Sequence, residues 1–267
     1  MTDLRYVFVC RVSRSLSRTY LDFQKYRNLK IKLFFRNDLY SRIAASGFVN
    51  LTHLEARSVS IQWTPDDLNS LICKRFRQST KLMDMLGVDN RTSDKTLFGK
   101  LFPEQVDNGS RKPTTWNWMV SRISDGNGVM SPRNLIDLVN LAKQSQISKE
   151  QRQTKRTPKR PTLIESDSLK SALQGLSQKR VNDTLIAEIG EGSDYIERFR
   201  RGKAEYSRQA LSALLNLSGP ALNAIIDRLK GAGFLAEGAA SLKVPMLYRA
   251  GLEITQGRAN DDGDEEH

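Results

Sequence analysis

The chain has 267 residues, 39% of them hydrophobic and 27% charged, and a formal net charge of +12, a balance expected of a globular protein with room for one large core or two smaller ones. Two cysteines and two histidines exclude a disulfide framework, a zinc quartet and a histidine-based metal centre within one chain, and leave Cys10 and Cys73 as small core hydrophobes. No apolar run approaches the ~18 residues of a membrane span, and the opening places an acid and flanking arginines around a very short apolar run, unlike a secretory leader, so the expected location is cytoplasmic with no membrane contact.

In chain order, Arg5–Cys10 alternates weakly and predicts a strand. Leu16, Tyr20, Leu21 and Phe23 follow at helical spacing, and Ile31, Leu33, Phe34 and Phe35 make a second apolar run ending abruptly at Arg36 and Asp38. Strand, helix, strand predicts a right-handed βαβ crossover. Ligands sit at the carboxyl ends of parallel strands, so Arg36 and Asp38 fit two readings, a phosphate contact or the polar end of a core strand. Val59, Ile61 and Trp63 alternate with polar neighbours and predict another strand, closing on Thr64-Pro65-Asp66-Asp67. There Thr64 is a helix cap, Pro65 suits the first turn, and the acids favour the positive end of a helix.

Residues 79–146 read as shorter helices. The last of them opens at Ser131-Pro132, with Leu135, Ile136, Leu138, Val139 and Ala142 as a buried stripe and Arg133 in the first turn, away from it. Residues 147–162 are nearly devoid of apolar side chains and contain Arg156 and Arg160. Such a basic linker either tracks a phosphate backbone or is simply solvated. From 163 to 258 the order is helix, tight turn at Ser218-Gly219-Pro220, helix, glycine stop, then a two-stranded ribbon, which is the order of a winged helix-turn-helix. The second helix presents Asn223, Asp227, Arg228 and Lys230 on its polar side, so Asn223, Arg228 and Lys230 with the linker arginines are candidate contacts to double-stranded DNA, and packing without DNA is the competing role. Residues 259–267 form an acidic tail. The fold expected is mostly α, with a partial parallel α/β sheet at the N-terminus (residues 1–78), a helical lid (79–146) and a C-terminal winged helix.

Taken together, the strand ending FFRND, the SIQWTPDDLNSLICKRF and DGNGVMSPRNLIDLVNLA segments and the terminal GFLAEG and VPMLYRAGLEI segments resemble the C-terminal half of bacterial P-loop ATPases of the STAND and AAA-like type, over about residues 29–258. The resemblance implies that Arg36, beside Asp38, senses a terminal phosphate, that Arg133 is a second sensing arginine on a lid, and that ATP and Mg2+ are the family's ligands. Two arginines on separate modules would make lid position depend on the γ-phosphate. The chain departs from the pattern by lacking any G-x-x-x-x-G-K-[ST] and by ending its first apolar run in Arg11 where a magnesium-binding carboxylate belongs. The expectation is therefore a truncated or split ATPase, unable to hydrolyse ATP alone and served by a partner chain that supplies the P-loop. The alternatives are a winged-helix DNA-binding regulator and an adaptor for a partner ATPase.

Overall fold

The computed structural model describes residues 4–34, 56, 58–152, 162–185 and 193–259. The chain divides into two compact units, residues 1–61 and 62–267. Among the described residues it is mostly helical, with one small mixed sheet of four strands, and no helix is long and apolar enough to cross a membrane.

In the first unit, α1 spans Leu4–Phe23 as one helix. The strand expected over residues 5–10 is therefore absent. The twenty-residue run contains neither Gly nor Pro, and once a helix is nucleated each further residue adds a hydrogen bond, which outweighs the modest β preference of Val and Phe. A turn follows, with Phe23 and Tyr26 rings 6.0 Å apart. Residues 29–34 form no strand, Phe34 is 79% exposed, and Phe35 lies outside the described residues. The strand expected over 58–64 is also missing, since Val59 is 88% and Ile61 68% exposed. Alternation reports which residues share a face; it does not supply the neighbouring strand that a sheet needs. No strand precedes Lys203 among the described residues.

The second unit holds the core. The α2 helix, Pro65–Arg77, begins where the sequence predicts, in a full capping box: the Asp67 amide donates to Thr64 Oγ1 at 3.1 Å and the Thr64 amide donates to Asp67 Oδ2 at 3.1 Å. Its buried face is Leu68, Ile72 and Cys73. Burial pushes the Cys73 thiol up to about 11, so it is an inert apolar side chain at neutral pH. Two short helices follow, α3 (Thr80–Leu86) and α4 (Asp94–Leu101), each capped by a serine side chain. In α5, Thr115–Ile123, the fully enclosed indole is that of Trp118, with Trp116 only partly covered.

The long helix α6, Pro132–Arg152, packs on α7, Ser166–Lys179, as a helical hairpin. Leu135, Leu138 and Ala142 of the expected stripe are buried. Gln146 is buried as well, where its Oε1 accepts from the Glu165 amide at 3.1 Å and from Ser168 Oγ at 2.8 Å. The α6 helix continues to Arg152, six residues into the stretch read as a linker. After α7 comes a π-helical turn, Arg180–Leu185, with Val181 and Leu185 in the core. Then come α8 (Ser193–Glu197), β1 (Lys203–Tyr206), α9 (Arg208–Leu215), α10 (Gly219–Gly231), β2 (Ala236–Glu237), β3 (Leu242–Lys243), α11 (Met246–Arg249) and β4 (Thr255–Arg258). The sheet order is β2-β3-β1-β4. The pairs β2/β3 and β1/β3 are antiparallel and β1/β4 is parallel. The ribbon expected to run through residues 245–254 is interrupted by α11, whose Leu247 and Tyr248 are buried.

Close backbone approaches join the helical part of this unit to the part that carries the sheet. The Gly126 amide donates to the Gly233 carbonyl at 2.7 Å, and a Cβ on Gly126 would lie 2.6 Å from the Leu235 carbonyl oxygen. The Gly251 amide donates to the buried Ser177 Oγ at 2.7 Å. A Cβ on Gly251 would lie 2.7 Å from the Ser177 carbonyl carbon, so both approaches require glycine, at Gly126 and at Gly251.

Candidate functional site

Of the residues singled out as phosphate-sensing, Arg36 and Asp38 lie outside the described residues. Arg133 is placed as the sequence predicts, in the first turn of α6 directly after Pro132, with its side chain exposed. Arg156 and Arg160 also lie outside the described residues.

The polar side of α10 is well defined. Leu222, Ile226 and Leu229 anchor the helix, leaving Asn223, Asp227 and Arg228 on the exposed side. The turn before it is made by Asn216 at φ 47° and Gly219 at φ 54°. Asn223 and Lys230 are engaged within the fold. Arg208 donates through Nη2 to the Asn223 side-chain oxygen. Lys230 is ion-paired with Glu237 of β2, and that partner holds the Glu237 carboxyl below its ordinary range. With Asp227 beside Arg228, this surface has little net charge for a polyanion to recognise.

A second group of cations, not singled out from the sequence, is gathered by the sheet. Residues paired across strands point to the same face, and in β1 the core face is taken by Ala204 and Tyr206. The opposite face therefore carries Lys203 and Glu205, with Lys243 of β3 directly across from Glu205. Lys243 Nζ lies 2.9 Å from Glu205 Oε1 and holds that carboxyl below its usual value. On the other side, Lys203 pairs with Thr255 and Glu205 with Arg258. Two steps along β1 match three along β4, so an irregularity brings Arg258 onto the same face, and Gly257 supplies it at φ 132°.

Arg249, at the end of α11, joins this group. Its Nε donates to the Val244 carbonyl and its Nη1 to Gln256 Oε1, both at 2.7 Å, and its charge is felt by Glu205. On α5, which packs against α11, Arg122 stacks over the Trp118 ring at 4.2 Å and donates through Nη1 to the Trp118 carbonyl at 3.3 Å. Burial lowers the affinity of both guanidinium groups for their protons, and for Arg122 the nearby Arg249 adds to that effect. Asp107 partly offsets it at Arg122, but that carboxylate is itself paired with Lys170 at 2.8 Å. No sequence motif marks this cluster, because its members come from α5, β1, β3, α11 and β4 and meet only through strand register. Compared with known proteins, the chain matches no family model, no curated protein and no solved structure.

Proposed function

We propose that this chain is the transmitting part of a nucleotide-dependent switch of the P-loop ATPase kind, carrying phosphate-sensing, lid and winged-helix elements and hydrolysing no ATP by itself. The observation that carries this reading is the union of two features in residues 62–267. An exposed Arg133 opens the long helix α6, and the part bearing α6 is joined by the Gly126–Gly233 and Ser177–Gly251 contacts to a strand, helix, turn, helix, hairpin series of winged-helix order. Contacts of that closeness pass a displacement on as rigid-body motion, because packed backbones do not deform continuously. The ordered resemblance of residues 29–258 to the C-terminal half of STAND and AAA-like ATPases supports the same reading, and the missing P-loop motif means that the phosphate cradle must come from elsewhere.

The test is phosphate release from ATP with Mg2+. The purified chain should give no turnover above a buffer blank. In the presence of a P-loop protein that co-purifies with it, Arg133→Ala should lower the joint turnover by about a thousand-fold or more, on the order of an arginine finger's contribution, while leaving the thermal midpoint unchanged. Turnover by the chain alone that disappears in Arg36→Ala would overturn the reading, as would joint turnover indifferent to Arg133→Ala. A second reading, a winged-helix DNA-binding regulator, is favoured by the excess of basic residues and by the helix-turn-helix order of α9 and α10. It predicts salt-sensitive binding to duplex DNA.

A further inference from the structure

We propose that nucleic acid contacts this protein through the outer face of the four-stranded sheet, with Lys203, Lys243, Arg249 and Arg258 extended by Arg122, and not through the polar side of α10. The inference rests on the second reading above but moves the contact to a surface that no motif marks. On α10, Asn223 and Lys230 are occupied by Arg208 and Glu237. On the sheet face, five cations meet one facing carboxylate, Glu205, while Asp107 near Arg122 is engaged by Lys170.

The layout decides the ligand class. Neighbouring strands lie about 4.8 Å apart, so Lys243 and Arg258 flank Glu205 across β3, β1 and β4, Lys203 stands two positions along β1 on the same face, and Arg249 and Arg122 add charge beside them. Cations spread over an open face around a single carboxylate suit a repeating phosphodiester backbone, whose charges recur along the strand, better than a single compact phosphate. Arg249 and Arg122 are held by carbonyl groups and, for Arg122, by an indole face, so little side-chain freedom remains to be lost on binding. Contacts of this kind position a backbone and read no sequence, so affinity should be insensitive to base composition.

The experiment is fluorescence anisotropy of the full chain with a fluorescein-labelled duplex of about 20 base pairs, titrated over a range of salt concentrations, since each lost phosphate contact lowers the salt slope by about 0.9. The double variant Lys203→Gln/Arg258→Gln, on exposed or half-exposed positions, should weaken binding at least ten-fold and lower the slope by about two. Arg122→Gln, from a different element, should weaken it several-fold with an unchanged thermal midpoint. Arg228→Gln/Lys230→Gln on α10 should change affinity less than two-fold. Loss of affinity in the α10 variant equal to that in the sheet variant, or no loss in the sheet variant, overturns the proposed surface while leaving the nucleic-acid reading in place. No duplex binding by the unaltered chain at about 50 mM salt, where phosphate contacts are strong, or equal binding to poly-glutamate, overturns both.

Discussion

Gly126 and Gly128 sit two residues apart in one loop and are glycine for different reasons. Gly126 has an ordinary backbone conformation, but a Cβ there would meet the Leu235 carbonyl oxygen at 2.6 Å. Gly128 has open space around it and a φ of 73°. Asp125 fixes the loop by accepting the amides of Asn127 and Val129 at 2.9 Å, and the same carboxylate lies where a Cβ on Gly233 would fall, at 2.8 Å. Gly128→Ala should therefore cost only the left-handed backbone penalty, about 1 kcal/mol. Gly126→Ala and Gly233→Ala should each cost about 1–3 kcal/mol or more, the first because the backbone at Gly233 and Leu235 must retreat, the second because the Asp125 side chain must move and the left-handed φ of 71° is strained for alanine. Urea midpoints of the three variants check this, and a Gly128 variant less stable than the Gly126 variant would contradict the tight-contact account. The glycines are visible in the sequence as a turn. That the missing side chain of Gly126 serves a contact a hundred residues away is not, because proximity of that kind leaves no periodic trace.

Among the elements, α2 is the one whose start is fully legible, since a capping box is local chemistry confined to four consecutive residues. Thr64→Ala should lower stability by about 1 kcal/mol, which for a unit of this size is a fall of about 2–4 °C in thermal midpoint; Thr64→Ser should recover most of it. The expected strands at 5–10, 29–35 and 58–64 show the opposite case. Apolar alternation is compatible with a strand, with an exposed extended segment or with part of a helix, and only a hydrogen-bonded neighbour distinguishes them. The reverse error occurs at Lys203–Tyr206, a four-residue strand between helices that has one strong β former and no strand signal of its own. It pairs with β3 and β4, each distant in sequence, and these pairings rather than its own propensity make it a strand.

For the molecule as a whole, charge is the property that ties stability to pH. The carboxyls of Asp107, Glu197, Glu205 and Glu237 are each held below their ordinary values by a paired cation, Lys170, Arg200, Lys243 and Lys230 respectively. Folded-state values below the unfolded ones mean that the unfolded chain binds more protons in the interval between them. Their stabilisation is thus fully present above the unfolded values, near about pH 4, and is lost as pH falls through the folded ones. Lys149, raised by Glu165, and Lys170, raised by Asp107, act in the other direction, contributing fully below about pH 10.4 and losing that contribution above it. Thermal midpoints should be flat from about pH 6 to 8 and fall below about pH 4, with the acid limb shallower in roughly 0.5 M salt because these pairs are largely exposed. A midpoint that rises as pH falls from about 5 to 3 would be inconsistent with these pairings.

The sequence by itself determined whatever depends on neighbours within a few positions. That includes the capping box and helix at Thr64–Arg77, the Pro132-Arg133 start of α6, the helix-turn-helix order of α9 and α10, and the overall basic charge. Tertiary structure alone decided which alternating segments found a strand to pair with, which glycines mark backbone contacts, and that Arg258, shifted by the irregularity at Gly257, shares a face with Lys203 and Lys243. The physical reason is that helix and cap signals are satisfied locally, one hydrogen bond per residue, whereas a sheet face is assembled from strands whose register no single segment encodes.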